Sequence, residues 1–166
     1  MPLAVHGSKK GNQMADSTAS AVTSPFEIRH SVVIAARPET VFDYVTNPKS
    51  WPEWLPSSHA LECDDRPMGF GDTFHEHWST RTGPVDLDWL VIACDRPTLW
   101  IGMTTTSFMG PVVVHYTFEA ADGGTRFTRI LRNPARPKPP TPEMVARMSA
   151  EAELGLGNIK KIVERR

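Results

Sequence analysis

The sequence predicts an α+β domain built from one strand, two short helices, six further strands in an antiparallel meander, and a long helix that closes the chain. Three observations carry that prediction. From Phe26 onward apolar and polar residues alternate, with Phe26, Ile28, Val32 and Ile34 on one face and Glu27, Arg29 and Ser31 on the other, which is the period of a half-buried strand. Between about 58 and 132, strand-length runs are punctuated by Pro, Gly and Asp turn signals. Near the end, Val145, Met148, Ala152, Leu156, Ile159 and Val163 recur at helical spacing.

Taken in order, the helix after the first strand starts at Pro38, because a proline at the first helical position forfeits no hydrogen bond and its fixed φ already suits the helix. Asn47-Pro48 ends it. A second helical turn then sets Trp51 and Trp54 three residues apart on one side before Pro56 stops it, and the two indoles read as an apolar lip. Strands are expected near 58–64, 72–80, 85–95, 98–107, 111–120 and 124–132, and their short connections make the meander antiparallel. Gly69-Phe70-Gly71 and Asp122-Gly123-Gly124 read as turns.

The stretch Asn133 to Pro142 holds five prolines, at 134, 137, 139, 140 and 142, so it favours an extended polyproline-like linker and ends the sheet. Thr141 then caps and Pro142 starts the last helix, running from about Thr141 to Glu164, with Met148, Ala152 and Ile159 expected to face the sheet. Gly155 and Gly157 each cost about 1 kcal/mol against alanine inside a helix. Close approach of a ligand or the sheet to the helix backbone accounts for that cost, and so does a bend or early fraying.

The opening motif is an apolar strand followed by Ala36, Pro38, Val41 and Phe42, then Asn47-Pro48 and Trp51-Pro52-Glu53-Trp54. It resembles the START-like (SRPBCC) superfamily, and within it the polyketide cyclase/dehydrase and lipid-transport group. The resemblance covers roughly Phe26 to Arg166 and extends to the order of elements. It implies a helix-grip fold, a curved seven-stranded antiparallel sheet around the long C-terminal helix, with a cavity between the two. The activities it implies are carriage of a hydrophobic small molecule or a cyclase/dehydrase-type reaction. No short catalytic motif of that group can be matched here, so the resemblance transfers no catalytic residue.

At 166 residues the chain suits one domain with room for a cavity, and a formal net charge of −1 gives no reason to expect nucleic acid or an anionic membrane as partner. Cys63 and Cys94 lack metal or framework spacing and read as reduced core thiols. Residues 1–24 are rich in small and polar residues without periodicity and are expected to be disordered, leaving 25–166 as the folded domain. No signal peptide or membrane-spanning run appears, so the chain reads as cytoplasmic, and no phosphate loop, dinucleotide fingerprint or other cofactor motif is present. The sequence sets neither ligand identity nor oligomeric state.

Pockets between sheet and helix are apolar with few polar groups. On the third strand Phe74, Glu76 and Trp78 alternate with Thr73, His75, His77 and Ser79, and the aromatic face is the one expected to be buried. Glu76 then points inward, where loss of water favours its protonated form and fits it for general acid or base work. The alternative is a solvated or arginine-paired Glu76 at the cavity mouth. The wall is expected from Trp51, Trp54, Phe74, Trp78, Trp89, Trp100, Tyr116, Met144 and Met148, a set suited to a planar or polycyclic guest or equally to an ordinary core.

His75 and His77 project to one side of their strand, with His59 and His115 conceivable third ligands, but that face reads as the solvent side and no metal is expected. Asp86 and Asp88 are placed outward as solvated carboxylates. A further reading is an interaction module that docks through the proline-rich strip at 134–142, although the same strip could pack over the cavity mouth.

Overall fold

A computed structural model describes residues 23–166, so the expectation for residues 1–24 lies outside it except for Thr23 and Ser24. In chain order the elements are β1 (Phe26–Ile34), α1 (Pro38–Val45), a 3-10 turn (Pro48–Ser50), α2 (Trp51–Trp54), β2 (Ser58–Glu62), β3 (Thr73–Thr80), β4 (Gly83–Asp95), β5 (Leu99–Thr106), β6 (Gly110–Ala121), β7 (Gly124–Asn133) and α3 (Pro142–Val163). The strands form one antiparallel sheet in the order β1-β7-β6-β5-β4-β3-β2, which with α3 is the helix-grip fold.

Local chemistry places each junction. Pro38 begins α1 without a side-chain cap, and Asn47 accepts from the Lys49 N–H to start the 3-10 turn into α2. β3 turns into β4 through two residues, so that Thr80 faces Gly83, and β6 turns into β7 at Gly123, whose φ of +78° glycine adopts without strain. A Cβ at Gly124 would lie 1.9 Å from the Ile34 carbonyl oxygen, so only glycine lets β7 pass that close to the end of β1. A bulge between Val91 and Ala93 interrupts the β4–β5 ladder and bends the sheet. Thr141 caps α3 by accepting from the Met144 N–H.

The two halves of α3 are buried differently. Gly155, Leu156, Ile159 and Val163 in the second half are buried against β1, α1 and α2, while Met144, Val145, Met148 and Ala152 in the first half are half-buried. Ile159 therefore faces the core as expected, and Met148 and Ala152 do so only in part. Gly155 marks a close approach: a Cβ there would meet the Trp54 carbonyl oxygen at 3.4 Å and its ring at 3.5 Å. Gly157 faces open space. Glu164 accepts from the Ala35 N–H and from Lys160, whose ammonium also reaches the Val33 carbonyl, so the helix end is stitched to the end of β1.

The proline-rich stretch lies at the hairpin end of the sheet. The Ser24 N–H donates to the Arg136 carbonyl, and a Cβ on Gly110 would meet the Ala135 carbonyl oxygen at 3.2 Å, so the segment packs against the β5–β6 turn. No helix among the described residues is long and apolar enough to cross a membrane.

Candidate functional site

The pairing register fixes what faces α3. Phe74, Glu76 and Trp78 of β3 lie opposite Trp89, Leu87 and Val85 of β4, while Trp78 and Glu76 also face His59 and Leu61 of β2. On the other half of the sheet Trp100 faces Tyr116, which in turn faces Arg129. The side chains of all these residues line one concave face, since facing partners in a ladder project to the same side.

This face has a closed end and a looser end. Toward α1 and α2, Trp51 meets Phe74 and Trp89 edge-on at 5.3 and 5.6 Å, and Phe74 stacks on Trp89. Trp100 stacks on Tyr116, which meets Phe127, and Phe127 stacks on Phe118. Trp51 donates to the Val45 carbonyl, Trp54 to the Ser50 hydroxyl and Trp100 to the Met68 carbonyl, so each indole N–H is used inside the core. Trp51 and Trp54 are 3% and 1% exposed, which makes them core beneath α3 rather than a lip. Trp100 requires Gly102, because a Cβ there would sit 2.5 Å from the indole ring.

Toward the hairpin end, Trp78, Val85, Leu131, Met144 and Met148 are only half-buried. Of the nine wall residues expected from sequence, Trp51, Trp54, Phe74, Trp89, Trp100 and Tyr116 are thus closed into the core, whereas Trp78, Met144 and Met148 border the looser end. Two open hollows lie along the sheet, one of about 410 Å³ beside Thr82–Asp86 and Thr105–Phe108 that reaches Val85, and one of about 530 Å³ beside Glu62, Thr73–His75 and Asp88–Leu90.

Glu76 is the charged group at the centre of the concave face, and it is 2% exposed. Trp89 Nε1–H donates to its Oε2 at 2.7 Å, and His59 Nδ1 bonds its Oε1. The His59 ring stacks on Trp78, 5.9 Å between centroids and 5° between planes. With Nδ1 committed to Glu76, the Nε2 of His59 has no hydrogen-bond partner among the described residues. The inward direction of Glu76 follows from alternation, but its pairing with His59 does not, because nothing in the sequence sets the register of β2 against β3 across the residues between them.

Further polar groups converge there. Burial pushes the Tyr116 phenol up from its ordinary range, Arg129 opposes that shift, and the nearby Glu76 carboxylate adds to it. Arg129 Nε, Trp78 Nε1 and Thr104 Oγ1 are buried without a hydrogen-bond partner among the described residues. Arg129 and Thr104 carried no sequence signal beyond strand position.

The convex face of the same strands carries a second cluster. His75 Nδ1 bonds Asp88 at 2.7 Å, and His77 bonds Asp86 at 2.6 Å through Nδ1 and Glu62 at 2.9 Å through Nε2. Those bonds raise the His77 pKa, those to Glu62 and Asp86 ranking first, and hold Glu62 below its ordinary value. Asp86 and Asp88 are exposed as expected but paired. His115 lies elsewhere, accepting from Arg132, and burial followed by the Arg132 charge lowers its pKa. The side chain whose potential ligand atom groups with those of His75 and His77 among the described residues is Asp86, not His59 or His115. The two cysteines are free, half-buried thiols that burial shifts upward.

Comparison with known proteins agrees with this architecture. The model of the polyketide cyclase / dehydrase and lipid transport family matches residues 25–164. A solved protein from Rhodobacter sphaeroides superposes with a TM-score of 0.65 at 22% identity, covering 84% of this chain and 93% of its own. The protein Ara h 8.0201 superposes with a TM-score of 0.63 at 16% identity over 86% of this chain and all of its own. The di-domain aromatase/cyclase StfQ of the steffimycin biosynthetic pathway does so with a TM-score of 0.66 at 14% identity, over 86% of this chain and 52% of that one. None of the curated proteins matches the sequence.

Proposed function

We propose that this chain, which belongs to the polyketide cyclase/dehydrase and lipid transport family, binds a largely apolar small molecule with a polar end between the first half of α3 and the concave face of its sheet. The observation that carries this reading is the set of buried polar atoms without partners among the described residues, Arg129 Nε, Trp78 Nε1 and Thr104 Oγ1, on the face that holds Glu76 and His59. A buried donor left unpaired costs on the order of 1–3 kcal/mol, so a closed structural core would have satisfied or removed such groups. A guest whose apolar body lies against Met144, Met148 and Trp78 can place its oxygen atoms among them. A planar, polyketide-like compound has that distribution of polarity.

Native mass spectrometry of protein purified from its own host tests this, together with titration of a fluorescent apolar probe. A retained small molecule and saturable uptake of the probe, weakened by Met148→Arg, are expected. A protein that emerges empty and gives no saturable signal refutes the reading.

The buried His59–Glu76 pair favours a second reading, in which the guest is also transformed. A carboxylate bonded to Nδ1 holds the imidazole so that Nε2 can take a proton from a carbon next to a carbonyl, as enolisation or water loss in a cyclase/dehydrase reaction requires. Glu76 then positions the base, rather than serving as the general acid or base itself. In that case Glu76→Gln lowers turnover by about a hundredfold while leaving affinity nearly intact, and chelators change nothing because neither group needs a metal. Absence of turnover in the parent protein favours the carrier.

A further inference from the structure

The convex cluster is independent of the concave site, since alternate residues of a strand project to opposite faces. Its ladder is simple. The run His75-Glu76-His77 of β3 faces Asp86-Leu87-Asp88 of β4, joined by a two-residue turn, so His75 stands opposite Asp88 and His77 opposite Asp86, while Glu62 of β2 flanks His75. Ligating atoms of His75, His77 and Asp86 all lie within 4.8 Å of one another.

The hydrogen bonds sort these five side chains into two shells. Asp88 holds His75 at Nδ1, which turns the other nitrogen, Nε2, to a point 3.8 Å from Asp86 Oδ1. Glu62 holds His77 at Nε2, which turns Nδ1 to a point 2.6 Å from that same oxygen. Each imidazole thus has one nitrogen anchored by a carboxylate and the other directed at Asp86. That is how metal-binding histidines are oriented, since an outer carboxylate fixes the tautomer and strengthens the ligating nitrogen. Three carboxylates against two imidazoles also leave the patch negative when the histidines are neutral.

We propose that His75 Nε2, His77 Nδ1 and Asp86 Oδ1 bind one divalent transition-metal ion of the zinc class on the convex face, with Asp88 and Glu62 as the outer shell. Two imidazoles and one carboxylate select such an ion over magnesium or calcium, which prefer oxygen alone. Three protein ligands on an exposed surface leave at least one coordination position to water. Small rotations close the 3.8 Å gap and open the 2.6 Å His77–Asp86 contact, whose shared proton is released to solvent as the metal takes its place, because ligand atoms about 2.0–2.2 Å from a common zinc lie roughly 3.3 Å apart.

Zn²⁺ titrated into the untagged full chain, read by competition with a chromogenic chelator and by the thermal midpoint, tests the site. One equivalent should bind saturably and raise the midpoint, since the ligands converge only when β3 and β4 pair. His75→Ala, His77→Ala and Asp86→Asn should each weaken binding by more than tenfold, and Asp88→Asn, an outer-shell change, by about tenfold. All four positions are on the solvent side of the sheet, so circular dichroism should show the fold retained. His115→Gln, which alters a histidine elsewhere on the sheet, should leave the affinity unchanged. No saturable uptake at about 1 mM Zn²⁺, or affinity unchanged in a His75→Ala/His77→Ala double variant, overturns the proposal and leaves a surface ion-pair cluster only.

Discussion

The two faces of β3 use the same two residue types to different ends. Inside, one carboxylate and one imidazole, Glu76 and His59, pack among Trp78, Trp89 and Tyr116, and hydrogen bonds with Trp89 and His59 occupy both carboxylate oxygens. Outside, His75 and His77 meet Glu62, Asp86 and Asp88 in water, where the carboxylates are 66–93% exposed. A buried pair is held by the cost of uncovering either partner, whereas a solvated pair gains little and gives little up. Burial, not pairing, separates a group that the fold depends on from one free to bind something else.

The largest expected effect comes from deleting the inner acid. Glu76→Ala leaves Trp89 Nε1–H and His59 without their acceptor in a sealed interior and should destabilise the protein by about 3 kcal/mol. Asp86→Ala on the outer face should cost under about 0.5 kcal/mol. Denaturant midpoints of both variants measure the contrast, and similar losses would erase it.

The halves of α3 offer a second, somewhat smaller contrast. Ile159 is fully buried, and Ile159→Ala should cost about 2–4 kcal/mol through the cavity it leaves. Met148 is half-buried over the looser end, so Met148→Ala should cost less than about 1 kcal/mol while changing uptake of an apolar probe. If both cost the same, the first half of the helix is ordinary core and the space assigned to a guest does not exist.

Thr104 sharpens the same point with an opposite sign. Its hydroxyl is buried without a partner among the described residues, so Thr104→Val, which keeps the shape and removes the unsatisfied group, should raise stability by about 0.5–1 kcal/mol and weaken binding of a ligand that presents an oxygen there. A loss of stability would mean that the hydroxyl is already satisfied.

The fold was readable in the sequence because its signals are local: alternation in Phe26–Ile34, Pro38 and Pro142 at helix starts, Asp122-Gly123 at a turn. Glu76 was readable on the same ground. What escaped depends on register between separated segments. His59 and Glu76 meet across a connection whose length sets no pairing, and Arg129 reaches the site only because β7 closes against β6. The partnership of His75 and His77 with Asp86 and Asp88 is legible only when the two strands are taken together, since the two residues between Thr80 and Gly83 align the two runs. The i, i+3 spacing sets Trp51 and Trp54 on one turn, but their burial is tertiary: Trp51 meets Phe74 and Trp89, and α3 approaches Trp54 at Gly155.

The smallest effect tests the exposed limit of the comparison. Arg66 grips Asp72 through both guanidinium arms at 2.6 and 3.1 Å, and the Gly69 N–H adds a third bond. The Arg66 bonds first, then that backbone bond, hold the Asp72 carboxyl below its ordinary range. A carboxyl depressed in the folded state stabilises the protein above its unfolded value, near 3.9, and that contribution disappears as pH falls through the lower folded value. Asp72→Asn should therefore cost a constant amount, under about 1 kcal/mol, between pH 6 and 8 and progressively less in acid, with the two unfolding curves converging. Raising salt to about 1 M should shrink the neutral-pH difference, because a pair this open to water is screened. A difference that persists in acid and in salt would show Asp72 acting as a shielded hydrogen-bond acceptor, as Glu76 does, and would move the boundary between the two kinds of charge outward to the surface.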